Sequence, residues 1–275
     1  MKLSRLEQGE LIRSERLDPI VPHTAKGPER WLCIAPHDDD VVIGGGLLLQ
    51  QAVSEGKEIK VLITTDGSMG YCDLSERDTI AEVRRREALD SFKIIGIQDV
   101  EWLNYPDANL MHHTGRHRAS TDEAGYEIAG YSGLQNSYTA QLRAFRPSHV
   151  FLMSENDYNP DHKAVHQEVL ISLFHAEGAI WPELGHPLKE RPYVYEMAAY
   201  CNFKETPNVE IAASESELQK KLDAVESYQS QKQIGMLIEN LRSNGAFEYI
   251  RDIGFDYYTP SKYHALFHGD VGTKE

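Results

Sequence analysis

Short apolar runs recur along the chain and end at glycine, proline or acidic residues. Residues 31–35, 60–65 and 149–153 each contain an unbroken apolar run of three to five residues, a pattern typical of strands buried on both faces of a parallel sheet. Residues 100–103 and 193–200 are two further strand candidates. These five segments are the predicted strands.

Apolar residues at helical spacing fill most of the intervals between the predicted strands. The predicted helices are residues 44–54, 79–94, 136–145, 162–175 and 215–228. Pro147 follows the third of them and ends it. A regular alternation of strand and helix predicts an α/β fold with a parallel sheet.

The length of 275 residues suits one large domain. We expect residues 1–29 to form a polar lead-in with a short helix or an edge strand, and residues 30–275 to form the single domain. The polar stretch between residues 107 and 133 lacks sustained periodicity. We expect it to form loops around a site.

The formal net charge of -15 disfavours binding to nucleic acid or to an anionic membrane surface. Three widely spaced cysteines, Cys33, Cys72 and Cys201, indicate a reducing compartment rather than a disulfide framework. We see neither the apolar core of a secretory signal nor an apolar run long enough to span a bilayer. The expected location is cytoplasmic.

An acidic turn follows the first predicted strand and contains His37, Asp38, Asp39 and Asp40. Sites in open α/β sheets form beyond the carboxyl ends of the strands. Adjacent carboxylates repel one another there unless a cation or hydrogen-bond donors balance them, and His37 with Asp40 is a normal start to a zinc site. The competing interpretation is that Asp40 caps the next helix and the other acidic residues complement its dipole.

A second polar cluster, residues 156–166, follows the fourth strand and lies at the same edge of the sheet. Asp161 is placed to cap a helix, which puts His162 in the first turn, facing the site. His162 is therefore the predicted third ligand. His166, one turn on, is either another ligand or a satisfied core histidine. The second interpretation is also expected for His112, His113, His117, His149, His175 and His186.

Other catalytic schemes find little support. Residues 67–70 do not form a nucleophile elbow, and the chain has neither a Walker A sequence nor a GxGxxG sequence. Cys33 lies within a predicted buried strand, where a thiolate is disfavoured.

With both clusters placed, the chain resembles the LmbE-like family of N-acetylglucosamine deacetylases, which includes PIG-L. Residues 35–46 resemble its AHPDDxxxGxGG-type motif, and residues 159–162 resemble its HPDH motif. Weaker similarities occur in the same order along the chain, at residues 65–67, 84–87, 105–107 and 221–231. The resemblance implies a Rossmann-like three-layer α/β/α fold with a mostly parallel sheet.

The resemblance also implies site roles. His37, Asp40 and His162 would bind Zn²⁺, or another divalent ion such as Fe²⁺, and Asp39 would be the general base. Asp38 replaces the proline of HPDD. Asn159 replaces the first histidine of HPDH, so we expect it to donate a hydrogen bond to an oxyanion without shuttling a proton, at a cost of ~10²-fold or more in rate.

Arg84, Asp107 and Asp161 are the predicted substrate contacts, although a structural ion pair explains Arg84 equally well. The expected partner is a small N-acetylated sugar or glycoconjugate, and the resemblance allows a homo-oligomer. Two alternatives stay open. One is a carbohydrate-binding metal protein with weak or no turnover, and the other is a related amidase acting on a thiol conjugate or an N-acylated small molecule.

Overall fold

A computed structural model describes residues 1–23, 27–255 and 257–268 of the chain. Its strands are β1 (Lys2–Glu7), β2 (Glu10–Ser14), β3 (Arg30–Ala35), β4 (Glu58–Thr65), β5 (Asp99–Tyr105), β6 (His117–Arg118), β7 (Tyr131–Ser132), β8 (His149–Met153), β9 (Tyr193–Met197), β10 (Val209–Ala212) and β11 (Phe247–Asp252). Its helices are α1 (Asp40–Ser54), α2 (Ile80–Ile95), α3 (Leu134–Phe145), α4 (Pro160–Glu177), α5 (Glu215–Glu226), α6 (Ile234–Ser243) and α7 (Pro260–His268).

One large sheet organises the described chain, with strand order β2-β1-β10-β11-β9-β8-β3-β4-β5. Strands β9, β8, β3, β4 and β5 run parallel to their neighbours within this group. The remaining four strands extend the sheet in antiparallel pairings beyond β9. The predicted parallel sheet is confirmed, and an antiparallel extension is added to it.

Helices cover both faces of the parallel strands. Trp31, Cys33 and Ala35 of β3 belong to the core shared with α1, α2 and α5. Leu32 and Ile34, on the opposite face, pack in the core that contains α3 and α4. Both faces of β3 are therefore buried, which explains its unbroken apolar sequence. The three-layer α/β/α prediction is confirmed.

The elements missing from the sequence prediction lie at the start, in the middle and in the last third of the chain. In the middle they are the two-residue strands β6 and β7, within the stretch that was expected to form loops. The lead-in supplies β1 and β2 at the far edge of the sheet. Strands β10 and β11 and helices α6 and α7 were not predicted. In β10 and β11, Val209, Ile211, Glu248 and Ile250 are buried, whereas the residues between them are partly or fully exposed. Such short strands with one buried face carry a weak sequence signal.

Two boundaries differ from prediction by more than two residues. Helix α1 begins at Asp40 rather than at residue 44, so the acidic turn leads directly into the helix. Strand β9 ends at Met197 rather than at residue 200. Among the described residues, no helix combines the length and apolar character needed to cross a membrane.

Candidate metal centre and active site

The acidic turn after β3 is held by hydrogen bonds from neighbouring elements. Thr65, the last residue of β4, donates to the carbonyl oxygen of Pro36 from its amide nitrogen at 3.0 Å and from its hydroxyl at 2.9 Å. The buried Tyr228 hydroxyl donates to the carbonyl oxygen of Asp38 at 2.6 Å. These contacts fix the backbone that carries His37, Asp39 and Asp40.

His37, Asp40 and His162 meet at the carboxyl edge of the sheet and could hold a metal ion. The Nδ1 atom of His37 lies 3.2 Å from Oδ2 of Asp40, and Nε2 of His162 lies 3.3 Å from Oδ1 of Asp40. Asp40 and His162 are fully buried. Burial opposes ionisation of Asp40, but His162 and His37 outweigh it and lower the pKa of this carboxyl well below its ordinary range.

Several atoms of this group are buried without a good hydrogen bond, namely Oδ1 of Asp40 and both ring nitrogens of His162. Buried polar atoms are nearly always satisfied, so these atoms need an explanation. Two of them, Oδ1 of Asp40 and Nε2 of His162, face each other at 3.3 Å. Imidazole nitrogen and carboxylate oxygen are normal zinc ligands. A divalent cation therefore fits the donor set that the chain presents here.

A second group that shares His37 could also hold an ion, and its other members are Asp107 and Asp161. The Nε2 atom of His37 lies 3.2 Å from Oδ1 of Asp107 and 3.8 Å from Oδ2 of Asp161. Backbone amides already occupy these carboxylates, because Met69 donates to Asp107 and Ala108 to Asp161. The orphaned atoms are in the first group, which is the better candidate.

His37 has carboxylates on both sides of its ring. Burial lowers its pKa, but hydrogen bonds from the ring to the carboxylates of Asp107, Asp161 and Asp40 outweigh that effect and raise the pKa well above its ordinary value. Asp161 also accepts from the amide nitrogen of Leu110 at 3.3 Å, so it anchors the loop after β5. The structure thus brings two of the predicted substrate contacts, Asp107 and Asp161, against the ring of His37.

Arg84, the third predicted substrate contact, forms a buried ion pair. Its Nε atom donates to both carboxylate oxygens of Asp38, at 3.0 and 3.2 Å, and its Nη2 atom also donates to Asp38. The same Nη2 atom lies 3.3 Å from Oδ1 of Asp39. Despite the arginine, burial raises the pKa of Asp38 to about 6. Arg84 supplies part of the positive charge that the acidic turn requires.

Asp39, the predicted general base, has a different donor at each oxygen. Arg84 faces Oδ1, and the Tyr200 hydroxyl donates to Oδ2 at 3.3 Å. The Tyr200 ring is centred 5.9 Å from the ring of His162. Burial of its hydroxyl end and the charges of Asp39 and Asp40 raise the pKa of Tyr200 well above its ordinary 10.

Sequence reasoning overlooked Tyr200, although a usable signal existed. The residue follows β9, and the carboxyl end of a fifth parallel strand meets the same edge of the sheet.

Asn159 rather than Asp161 caps helix α4, which corrects the sequence-based expectation. Its side-chain oxygen accepts the amide of Asp161 at 2.9 Å, as an N-cap residue does. The side-chain nitrogen of Asn159, Nδ2, remains able to donate a hydrogen bond. His162 lies in the first turn, as predicted.

Asp157 is a further site residue that sequence reasoning missed. Its Oδ2 atom lies 3.3 Å from Nδ1 of His162, on the side of the ring away from Asp40. Carboxylates in this position orient metal-binding histidines. His166 instead points its Nδ1 atom to the carbonyl oxygen of Met153 at 3.0 Å, which favours its interpretation as a satisfied core histidine.

The sequence model of a family described as PIG-L, GlcNAc-PI de-N-acetylase, matches residues 32–172. The chain belongs to this family. All the site residues predicted for this PIG-L-family protein, from His37 to His162, lie within the matched segment. Tyr200 and Tyr228 lie beyond it.

Two relatives show the range of functions among similar proteins. Mycothiol S-conjugate amidase of Streptomyces coelicolor is 26% identical over 183 residues, which cover 63% of this chain and 60% of the amidase. Diacetylchitobiose deacetylase of Thermococcus kodakarensis is 35% identical over 98 residues, 35% of this chain and 37% of the deacetylase. The PIG-L-family chain thus aligns with less than two thirds of either relative.

The solved structure of N,N'-diacetylchitobiose deacetylase from Pyrococcus horikoshii, complexed with its inhibitor MPG, has a similar fold. Its TM-score is 0.68 at 23% identity, with 90% of this PIG-L-family chain and 88% of that chain covered. At this identity the likeness supports the fold rather than the reaction.

Proposed function

We propose that the protein is a metal-dependent hydrolase that removes the acetyl group from an N-acetylglucosamine-type substrate. The observation that carries the proposal is the convergence of orphaned atoms of Asp40 and His162 beside His37, with Asp39 preceding Asp40 in the same turn. By their names, the two relatives described above are an amidase and a deacetylase, which supports amide hydrolysis.

Zinc is the proposed ion, held by His37, Asp40 and His162, and Fe²⁺ is the alternative. When bound, such an ion lowers the pKa of a water towards about 7 and polarises a carbonyl group. Asp157 would hold the ring of His162 in its ligating orientation from behind.

Asp39 is the proposed general base. It takes a proton from the attacking water, and the oxygen adds to the acetamide carbon. The same carboxyl group then returns the proton to the departing amine, so acetate and a free amino sugar leave. Arg84, 3.3 Å from Oδ1, holds the carboxylate in one orientation while both steps occur.

The predicted substrate contacts differ in how freely they can reach a ligand. Arg84 and Asp161 are buried and already paired, so we propose that they shape the site through Asp38, Asp39 and the loop at Ala108. Asp107 remains the proposed contact to a sugar hydroxyl. Asn159 remains a proposed donor to the oxyanion, through its amide nitrogen.

The second candidate function is an amidase acting on a thiol conjugate. Similarity to the mycothiol S-conjugate amidase over 63% of this chain favours it. The catalytic groups would act in the same way, so the candidates differ in the acyl and amine parts of the substrate. A carbohydrate-binding protein without turnover is the third outcome that the experiment below separates.

The test is a screen for acetate release by zinc-loaded protein. Substrates are N-acetylglucosamine, N,N'-diacetylchitobiose and an N-acetylglucosaminyl inositol, with a mycothiol-type S-conjugate assayed for amine release. We expect acetate from at least one sugar. Asp39→Asn should lower the rate by about 10²-fold or more because the base is lost, while zinc content stays unchanged.

Asp78→Asn is the matched control, because the side chain of Asp78 is 86% exposed. It should keep the full rate. Amine release from the thiol conjugate alone would favour the amidase. Sugar binding without any product from metal-replete protein would contradict the hydrolase, and full activity of Asp39→Asn would contradict the role of Asp39.

A further inference from the structure

Acceptor groups dominate the surroundings of the candidate metal centre. Carboxylates surround it in the segments that follow β3, β5 and β8. Those of Asp40, Asp107, Asp157 and Asp161 lie against the rings of His37 and His162, and those of Asp38 and Asp39 lie in the same turn as Asp40, against Arg84. Amide hydrolysis places negative charge on the former carbonyl oxygen, and that oxygen is stabilised by hydrogen-bond donors that are already in position. A centre so rich in carboxylates therefore needs a donor that is not bound to one of them strongly.

Arg84 does not meet this need. Its guanidinium donates to both oxygens of Asp38 and also faces Asp39. Because the side chains of Arg84 and Asp38 are only 6% and 3% exposed, releasing Arg84 for a substrate would leave Asp38 as an unpaired buried charge. The guanidinium of Arg84 is thus paired with protein carboxylates and is not available to a substrate oxygen.

Tyr200 has the opposite properties. Its hydroxyl lies 3.3 Å from Oδ2 of Asp39, which is long for a bond between two oxygens, whose usual range is about 2.5–3.0 Å. Such a bond is weak and easily exchanged for a better acceptor. The residue is 52% exposed, so it borders the space from which a substrate approaches.

The loop that carries Tyr200 is tied to the loop after β8. Asn156 donates to the carbonyl oxygen of Asn202 at 2.7 Å, and the Lys204 ammonium lies 3.0 Å from Glu155. Both loops follow neighbouring parallel strands, β8 and β9. These ties keep the phenol over the edge of the sheet at which His162 and Asp39 lie.

We propose that Tyr200 is a second neutral hydrogen-bond donor, besides the side-chain amide of Asn159, that stabilises the oxyanion of the tetrahedral intermediate. This inference rests on the proposed function and deepens it. When the substrate binds, the phenol O–H turns from Oδ2 of Asp39 to the carbonyl oxygen, and its hydrogen bond strengthens as negative charge develops. The proton stays on Tyr200 throughout, and Oδ2 of Asp39 is freed to accept the proton of water.

Tyr200→Phe tests the inference because it removes the hydroxyl and keeps the ring. We expect kcat to fall about 10- to 100-fold, with KM changed by less than about twofold, as for a contact made in the transition state. A methylphosphonamide analogue of the substrate carries a tetrahedral, anionic group in place of the acetamide. Its affinity should fall by about the same factor as kcat/KM, whereas affinity for the amino-sugar product should not change.

Tyr158→Phe is the matched control, since the Tyr158 side chain lies next to Asn159 in sequence and is 93% exposed. It should leave kcat and analogue affinity unchanged. Equal analogue binding by wild type and Tyr200→Phe would overturn the role of Tyr200, as would an equal loss of analogue and product affinity.

Binding of the analogue needs no turnover, so it tests the role of Tyr200 independently of the proposed function. A wild-type protein that releases no acetate contradicts the proposed function. Unchanged analogue affinity in Tyr200→Phe contradicts only the inference.

Discussion

Asp38 departs from the family motif, and the structure explains the departure by its pairing with Arg84. The contact is buried and bidentate. Breaking one side of a buried ion pair is much more costly than never forming it, because a desolvated charge is left behind.

Arg84→Met should therefore destabilise the fold by about 3–5 kcal/mol, measured as the free energy of unfolding in urea. Arg77→Met is the control. Arg77 pairs with Asp78 on the surface, where the two side chains are 64% and 86% exposed, and such pairs contribute at most about 1 kcal/mol. Equal stability of the two variants would show that the buried charge of Asp38 does not require Arg84 as its partner.

His149 offers a test that depends on pH. It is fully buried at the start of β8, where its ring nitrogens contact the Ser148 hydroxyl at 2.9 Å and the carbonyl oxygen of Pro22 at 3.0 Å. Burial lowers the pKa of His149 from its ordinary 6.5 to about 4. Between these values the unfolded chain binds the proton and the folded chain does not, so acid favours unfolding.

Wild-type protein should thus lose up to about 3 kcal/mol from this residue as the pH falls from 6.5 to 4, at 1.36 kcal/mol per pKa unit. Above pH 6.5 His149 is neutral in both the folded and the unfolded chain, so this loss of stability is absent. His149→Phe, which cannot titrate, should have a flatter profile of unfolding free energy against pH. Parallel profiles of unfolding free energy against pH for the two proteins would contradict the lowered pKa of His149.

Residue roles were only partly predictable from sequence. His37, Asp40 and His162 follow neighbouring parallel strands, so the sheet topology alone brings them together. Asp157 and Tyr200 contact His162 and Asp39 from loops whose paths depend on tertiary packing. Their residue types do not signal these contacts, although the position of Tyr200 after β9 does. The capping role of Asn159 rather than Asp161 depended on a shift of two residues, which is within the usual uncertainty of a helix boundary.

At the scale of elements, helix α1 connects the acidic turn to the rest of the fold. A methyl group on Gly45 would lie 2.5 Å from the sulfur of Met197 in β9. The amides of Leu47 and Leu48, further along the helix, donate to Glu248 of β11 at 3.0 and 2.9 Å. The glycines therefore allow close packing of the helix that positions Asp40.

Gly45→Ala should destabilise the protein by about 1–3 kcal/mol through overpacking, despite the better helix propensity of alanine. Gly235→Ala is a matched control in helix α6, where no atom lies within 4 Å of the added carbon. There the change should stabilise by up to about 1 kcal/mol. Thermal unfolding of both variants measures the difference, and equal melting temperatures would contradict the packing argument.

Strands that are buried on both faces were easier to predict from the sequence than strands with one buried face. Strands β3, β4 and β8 have long apolar runs because helices cover both faces, and each was predicted within two residues of its bounds. Strands β10 and β11 bury one face only, and β11 places Glu248 inside, where it meets the ammonium of Lys221 at 2.7 Å. A buried charge within a short strand hides the alternation on which sequence prediction depends.

At the scale of the whole molecule, charge and topology act together. The chain has a net charge of -15, and carboxylates from several loops gather at one edge of its sheet. Such a concentration of negative charge attracts a divalent cation and repels polyanions. The fold class and the edge that carries the site were predictable because parallel β-α units leave one place for a site.

The most direct test of the central claim is a titration of metal-free protein with Zn²⁺, with acetate release followed at each addition. Activity should rise linearly and stop rising at about one zinc ion per chain, as expected of a single catalytic site. His162→Ala should show no rise, because Asp40 and His37 alone leave the site incomplete. Full turnover by metal-free protein, or unchanged zinc binding by His162→Ala, would contradict the account.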